Sequence, residues 1–408
     1  MSVETMSQAL QTETATPQDL LHQGLALSQE GDHSAAIALF EKLLEQEPDN
    51  AIAWNEKGNV LVDAGDFAGA IASFEQAVAA QPEEPLYHYS LGWARSCVGE
   101  FEAAIASFEQ VLALQSDFPN VHYSLGLSYY ATQKYEAAIG AFTHALEAHP
   151  GIADIWYSQG LALQASKRYE GAVKHFTRAI ELNSEFQPAF NCRGLCLMAL
   201  GDFNAAINSF DKALGLNPED AEAWFQWAQC KKRLDLPNDA LLGYEKALGI
   251  NPNYLEAAYG RGWALLKLAD WAGAIASFDK VVELDPNHFE AWFSRGVACK
   301  NQKQFEAAIE SYDQAIALRP DDHRAWANRS SALISLKRFE EALASCDKVL
   351  ELKPDDLNAL NNRGNALFHL NHLEDAIACF EKILEINPSD AKAKQNRSVI
   401  VKRLQASI

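Results

Sequence analysis

The sequence predicts an all-α solenoid, and two observations support this prediction. The first is a 34-residue repeat that fills residues 17–390 with eleven copies, without an insertion or a deletion. Sequence periods of roughly 20 to 50 residues are typical of solenoids. The second is the helical spacing of apolar residues in two blocks per copy, separated by turn residues such as Gly65 and Asp66. Each copy is therefore predicted to form a helix, a tight turn and a second helix.

Four positions of the repeat explain why the two helices should pack together. Position 20 is Ala in every copy, position 8 is Gly in nine copies, position 24 is aromatic in ten and position 32 is Pro in nine. Small residues at positions 8 and 20 allow two antiparallel helices to approach closely. The aromatic side chain is expected to fill the space beside the large residue at position 4, such as Trp54. The proline ends the second helix.

This pattern of many positions resembles the tetratricopeptide repeat, and the resemblance covers residues 17–390. The resemblance implies a right-handed superhelical α-solenoid in which the first helix of each repeat lines a concave groove. Residues 1–16 lack both a basic segment and an apolar stretch, so we expect a disordered N-terminal tail rather than a targeting peptide. Residues 391–408 continue the register and are expected to form a C-terminal capping helix with a charged face.

The charge of the chain is strongly negative and uneven. The 34 basic and 55 acidic residues give a formal charge of −21, which argues against binding to nucleic acid or to an anionic membrane surface. Residues 1–118 contain three basic and nineteen acidic residues, whereas residues 391–408 contain five basic residues and no acidic one. We interpret the acidic region as a solubilising surface. The alternative is that it attracts a basic partner electrostatically.

The sequence carries no signature of an enzyme, a metal site or a cofactor site. Its seven cysteines are scattered without a C-x-x-C motif, which fits a reducing cytoplasm. Phosphate-binding loops, H-E-x-x-H and G-x-S-x-G are absent from the sequence, and His369 and His372 are interpreted as part of a solvated turn. No apolar run is long enough to span a membrane. We expect a cytoplasmic protein, peripheral to a membrane at most through a partner.

Positions 7 and 25 vary together along the chain. Position 7 is Arg in five copies, and position 25 of the same five copies is acidic. We therefore expect Arg–carboxylate pairs across or between helix pairs, which would hold the register of the stack through bidentate hydrogen bonds. The alternative is common ancestry of these copies without a contact. The five arginines are Arg193, Arg261, Arg295, Arg329 and Arg363, and the five acidic residues are Asp211, Asp279, Asp313, Asp347 and Glu381.

The resemblance places positions 2, 5, 6, 9, 12 and 13 of each first helix on the concave face. Aromatic residues there are good anchors for an extended peptide, although an aromatic residue at position 5 is usual in this family and partly packed. Basic residues beside them favour an acidic segment or a C-terminal carboxylate, and asparagines farther along can bond a peptide backbone. The predicted binding residues are Phe225, Lys232, Arg233, Tyr259, Trp263, Lys267, Phe293, Lys300, Asn301, Arg324, Asn328, Asn361, Asn362 and Asn365.

The function predicted from these features is a non-catalytic scaffold or adaptor that binds peptide segments or protein partners in the concave groove. The repeat sequences are similar to those of bacterial arrays, some of which assist complex assembly. A complex-assembly factor is therefore one form of this prediction. The alternative is a regulatory superhelix subunit of an enzyme such as a glycosyltransferase, with the catalytic part on another chain. A structural spacer with an indifferent groove is the third possibility.

Overall fold

The computed structural model describes residues 15–405, which form 23 α-helices joined by short turns and no β-strand. Residues 1–14 of the predicted N-terminal tail and residues 406–408 of the predicted capping helix lie outside the described residues. The chain divides into two compact units, Met1–Leu200 and Gly201–Ile408. No helix among the described residues is both long and apolar enough to cross a membrane.

The first unit begins with a well-capped helix. Thr16 precedes it, and the Thr16 hydroxyl accepts from the Asp19 N–H (3.2 Å) while the Asp19 carboxylate accepts from the Thr16 N–H (3.1 Å). The helices of this unit are α1 (Pro17–Glu30), α2 (His33–Gln46), α3 (Ala51–Asp63), α4 (Phe67–Ala80), α5 (Pro85–Cys97), α6 (Phe101–Leu114), α7 (Val121–Ala131), α8 (Tyr135–Ala148), α9 (Ala153–Ala165), α10 (Tyr169–Leu182) and α11 (Gln187–Ala199).

The second unit ends with a helix outside the eleven repeats, which packs against the helix before it and buries Ala393 and Ile400. The helices of this unit are α12 (Phe203–Leu216), α13 (Ala221–Arg233), α14 (Pro237–Ile250), α15 (Leu255–Lys267), α16 (Trp271–Leu284), α17 (Phe289–Asn301), α18 (Phe305–Leu318), α19 (His323–Ser335), α20 (Phe339–Leu352), α21 (Leu357–His369), α22 (Leu373–Ile386) and α23 (Ala391–Gln405).

Each unit is an α-solenoid in which every helix packs against its neighbours in sequence. The odd-numbered helices up to α21 are the first helices of the repeats, and within a unit consecutive first helices also contact one another. The second helices pack chiefly against the first helices before and after them. The first helices therefore lie on the inner side of each stack. This arrangement confirms the prediction of an all-α solenoid.

The core of most repeats is an aromatic ring that lies against a glycine. A Cβ atom built on Gly58 would lie 2.5 Å from Phe74 Cε1, and one built on Gly296 would lie 2.5 Å from Tyr312 Cε1. Position 8 therefore favours glycine, because the ring at position 24 occupies the place of a side chain, and Ala228 is the one residue with a Cβ atom at this position that faces such a ring. The large residue at position 4 also fixes the connection between repeats, because the Trp54 indole N–H donates to the carbonyl oxygen of Pro48 (2.8 Å).

One repeat departs from the pattern at both position 8 and position 24. Ser330 stands where most copies have glycine, and Cys346 stands in the same repeat where the others have an aromatic ring. Both side chains are fully buried. The smaller thiol leaves room for the serine side chain, so the serine fills part of the space that the aromatic ring takes in the other repeats. Burial raises the pKa of the Cys346 thiol to about 12, so the thiol stays protonated at neutral pH.

The turn between the two helices of a repeat places one residue in the left-handed region. This residue is glycine in some repeats, for example Gly65 with φ of 81°, and another residue elsewhere, for example Ala269 with φ of 59°. The left-handed conformation is unfavourable for residues with a Cβ atom. The turn geometry is therefore imposed by the packing of the two helices and not by the choice of glycine.

Arg–carboxylate pairs of the predicted kind form at Arg261, Arg295, Arg329 and Arg363, but each arginine pairs with position 25 of the preceding repeat and not of its own. Arg295 Nε donates to Asp279 Oδ1 (2.6 Å) on the preceding second helix, and Arg295 Nη1 donates to Ser311 Oγ (2.6 Å) on the following one. Arg329 repeats this arrangement with Asp313 (2.6 Å). Equivalent ion pairs are Arg261–Glu245 (3.4 Å), Arg363–Asp347 (2.7 Å) and Arg397–Glu381 (2.6 Å). Each of these guanidinium groups therefore links its own repeat to the preceding one.

Candidate peptide-binding face

The inner face of the second unit is formed by the side chains that α13, α15, α17, α19 and α21 turn away from the second helices. Because the repeat length is constant, the same repeat position recurs at the same place on each of these helices. Residues at positions 9, 12 and 13 of adjacent repeats therefore come close together. All fourteen residues that the sequence predicts to bind a partner lie on these five helices.

Three of the predicted residues form an aromatic and basic cluster between α13 and α15. The Lys232 ammonium lies 4.8 Å from the centroid of the Trp263 ring and 6.0 Å from that of Tyr259. The Lys267 ammonium lies 5.6 Å from the centroid of the same Trp263 ring. The negative face of an indole attracts cations. Trp263 therefore holds two ammonium groups near one another, and we call Lys232, Trp263 and Lys267 the Trp263 cluster.

The charge of the Trp263 cluster is only partly compensated within the protein. Lys267 Nζ lies 3.4 Å from Asp235 Oδ1, whereas Lys232 has no acidic side chain within ion-pair distance among the described residues. Burial, together with the adjacent Arg233, lowers the pKa of Lys232. Burial also lowers the pKa of Lys300. A lowered lysine pKa means that the ammonium form is disfavoured, so a carboxylate brought to this site would stabilise it.

The aromatic residues at position 5 are more packed than the sequence prediction assumed. The Phe225 side chain is only 8% exposed and packs against the rings of Tyr244 and Tyr254, with centroid distances of 6.1 and 5.0 Å. Phe225 therefore belongs to the core beneath the face and is not an accessible anchor. Tyr259 is half-buried and stacks on His288 with a centroid distance of 5.1 Å.

A second group of predicted residues is held together between α17 and α19. Lys300 Nζ donates to Asn328 Oδ1 (2.6 Å), and Asn328 Nδ2 donates to the carbonyl oxygen of Arg324 (2.9 Å). The Arg324 guanidinium lies 5.2 Å from the centroid of the half-buried Phe293 ring and pairs with Asp322 (2.6 Å). The polar atoms of this group are therefore largely engaged within the protein.

The remaining predicted residues do not form one continuous polar row. Arg233 and Asn301 are exposed at the C-terminal ends of α13 and α17. Asn362 Nδ2 donates to Ser330 Oγ (3.1 Å). Asn361 and Asn365 are half-buried on α21, and within the described part of the chain neither side chain makes a hydrogen bond. Two of the asparagines that were expected to bond a peptide, Asn328 and Asn362, instead bond protein groups.

The sequence prediction missed two pockets on the first helices of the first unit, each of about 440 Å³. Trp93 on α5 lines both pockets and is 40% exposed. Leu86 and Leu127 are exposed to a similar degree, at 43% and 41%. The available signal was the aromatic residue at position 9, which Trp93 shares with Trp263. Among residues 15–405 no group of three or more His, Cys, Asp or Glu side chains is placed to hold a metal ion.

Comparison with known proteins identifies the repeat. A family model described as tetratricopeptide repeat matches residues 21–85, 55–96, 123–185, 259–308 and 300–356, and three further models described as tetratricopeptide repeat or TPR repeat match residues 329–401, 98–133 and 188–220. No curated protein matches the chain.

One solved structure shows the same fold. The chain is similar to the C-terminal part of a TPR repeat-containing protein from Cytophaga hutchinsonii, with 16% identity, 59% of this chain and 98% of that chain covered and a TM-score of 0.51. It is also similar to YrrB, described as a TPR protein with an unusual peptide-binding site, with 28% identity, 45% and 95% covered and a TM-score of 0.43. The family models together cover more than half of the sequence, so the chain belongs to the tetratricopeptide repeat family.

Proposed function

We propose that this chain is a scaffold or adaptor that binds an acidic segment of a partner protein on the inner face of the second unit. The observation that carries the proposal is the Trp263 cluster, in which Lys232 lies on an indole ring without a carboxylate partner. Membership of the tetratricopeptide repeat family supports a protein-interaction scaffold. The role is proposed to be non-catalytic. Complex assembly, a cytoplasmic location and a bacterial origin stay predictions from the sequence.

The chemistry of the Trp263 cluster favours a carboxylate over other groups. A carboxylate placed between the two ammonium groups would accept charge-assisted hydrogen bonds from both. It would give Lys232 the partner that it lacks, and it would compete with Asp235 for Lys267. The alkyl stems of the two lysines and the indole ring offer apolar contact to the residues that flank the carboxylate. The site therefore suits acidic residues interleaved with apolar ones.

The proposal is tested by fluorescence anisotropy with a labelled nine-residue peptide of three Glu-Ser-Leu triplets. We expect this peptide to bind the wild-type chain, and Lys232→Met with Lys267→Met to weaken binding about tenfold, because both ammonium groups are lost while the apolar stems remain. Trp263→Ala should weaken binding to a similar degree. The affinity should fall as salt rises, since the contacts are ionic.

A matched control separates the cluster from the overall charge. Lys212→Met with Lys246→Met removes the same two charges from exposed positions on the second helices α12 and α14. This variant should bind the acidic peptide as the wild type does. Equal weakening by both double variants would show that only net charge matters, and no effect of either would contradict the proposed site. Circular dichroism must show the same helix content for all variants.

A further inference from the structure

The first unit contains a pocket whose chemistry is opposite to that of the Trp263 cluster. It lies between α3 and α5, has a volume of about 440 Å³ and is lined by Asn55, Glu56, Asp63, Tyr89 and Trp93 among others. We call these five residues the Trp93 pocket. Two of the five are acidic, and no basic residue lines the pocket.

The two carboxylates of the Trp93 pocket are not compensated by the protein. Glu56 accepts from Asn55 Nδ2 (3.2 Å) and Asn59 Nδ2 (3.3 Å), which are neutral donors. Within the described residues neither Glu56 nor Asp63 forms an ion pair. The nearby basic side chains are used elsewhere, because Lys57 pairs with Glu41 (2.8 Å) and Arg95 pairs with Glu75 (2.8 Å). The pocket therefore carries two negative charges that lack a cation.

A buried acceptor in the pocket wall independently indicates a missing donor. Asn55 is only 2% exposed, and its Oδ1 atom accepts no hydrogen bond in the described structure. Its amide nitrogen donates to Glu56, so turning the amide over would bring its oxygen against that carboxylate. Buried acceptors without a partner are rare because they lose their bonds to water on folding. An N–H donor from a ligand would satisfy this oxygen once a local movement of the pocket wall uncovers it.

The exposed indole completes the set of groups that recognise a cation. Trp93 is 40% exposed, and its ring belongs to the same pocket as Glu56 and Asp63. A tryptophan face attracts a guanidinium or an ammonium group, and carboxylates bond the same groups through their N–H donors. We propose that the Trp93 pocket binds an arginine or lysine side chain of an extended partner segment. This site goes beyond the proposed function, because it lies on other helices and takes the opposite charge.

The neighbouring pocket indicates which kind of residue lies near the basic residue in the partner segment. It lies between α5 and α7, shares Trp93 with the first pocket, and is lined mainly by apolar groups such as Phe101, Phe108 and Leu127. Packed helices lie about 8–10 Å apart, and an extended chain advances about 3.3 Å per residue. The segment therefore places an apolar residue roughly two or three positions from the basic one.

The proposal is tested on the full chain with a labelled nine-residue peptide of three Arg-Ser-Leu triplets, read by fluorescence anisotropy. We expect binding to the wild-type chain. Glu56→Gln with Asp63→Asn should weaken it about tenfold, as should Trp93→Ala. A peptide with Gln in place of Arg should bind at least about tenfold more weakly than the Arg peptide, because it keeps the apolar residues without the charge.

Controls distinguish this site from general acidity and from the Trp263 cluster. Glu102→Gln with Glu170→Gln removes two negative charges at exposed positions of α6 and α10 and should leave binding of the Arg peptide unchanged. Trp263→Ala should also leave it unchanged. The proposal is overturned if the Arg peptide does not bind, if the two acidic double variants weaken it equally, or if Trp93→Ala has no effect while thermal unfolding shows the variant to be folded.

Discussion

The two units are built from the same repeat but differ in how consecutive repeats are joined. In the second unit an arginine at position 7 pairs with the acidic residue at position 25 of the preceding repeat, as Arg329 does with Asp313 (2.6 Å). In the first unit different side chains bond the residue at position 25. Lys57 pairs with Glu41 (2.8 Å), and Tyr129 Oη donates to Glu109 Oε1 (2.7 Å).

This difference shows that the junction requires a donor rather than a particular residue. Gln159 Nε2 donates to Thr143 Oγ1 (2.8 Å), so a neutral pair can stand at the same junction. In the second unit the Trp227 indole N–H donates to Asp211 Oδ1 (2.8 Å) in place of an arginine. Arg95 reaches Glu75 from position 11, one helical turn later. The stacking of the repeats places a hydrogen-bond acceptor at these junctions, and several kinds of donor side chain can bond it.

The largest effect is expected where the two units do not differ. Phe278→Ala in the second unit and Phe142→Ala in the first each remove a fully buried ring that lies against a glycine. We expect each to lower the free energy of unfolding by about 3–5 kcal/mol, because each leaves a cavity of the same kind. Urea unfolding followed by circular dichroism measures both. If the loss of unfolding free energy in one unit is less than half of the loss in the other, the two cores are not equivalent and the comparison fails.

A smaller effect is expected at the junctions, and here the units should differ. Arg329→Ala removes hydrogen bonds to Asp313 and Ser345 and should lower the free energy of unfolding by about 1–2 kcal/mol. Tyr129→Phe removes one hydrogen bond and should cost about 0.5–1 kcal/mol. A double-mutant cycle of Arg329→Ala with Asp313→Asn isolates the pair. A coupling energy of zero would mean that this ion pair does not hold the junction.

The smallest effect is expected in the turns. Ala269 has a φ of 59°, so Ala269→Gly should stabilise the second unit by about 0.5–1 kcal/mol by removing the left-handed strain of a residue with a Cβ atom. Gly65→Ala makes the reverse change in the first unit, where φ is 81°, and should lower stability by a similar amount. The melting temperatures of both variants test this. If both substitutions raise the melting temperature, or if both lower it, the account of the turn is contradicted.

The sequence was sufficient to predict the fold because a strict repeat multiplies each local signal. Helix–turn–helix pairs, the close approach at position 8 and the Arg–carboxylate pairs follow from patterns that recur many times. The contact of Lys232 and Lys267 with Trp263 was also predictable in outline, since positions 9, 12 and 13 recur on one face of adjacent helices.

The exposure of individual side chains could not be predicted in the same way. Phe225 was expected to be accessible, but the Tyr254 ring from the end of the same repeat covers it, and a helical-face argument does not include that residue. The Trp93 pocket was missed for a related reason. An acidic residue is recognisable as unpaired only when the positions of Lys57 and Arg95 are known.

The central claim is that the inner face of the second unit binds acidic segments, and photo-crosslinking with mass spectrometry tests it most directly. The Glu-Ser-Leu peptide would carry a benzophenone residue in place of its central leucine. The account predicts crosslinks to residues of α13, α15 and α17 around Trp263, and loss of these crosslinks in Lys232→Met with Lys267→Met. Crosslinks that fall on the second helices α14 and α16, or that are unchanged in this variant, would contradict it.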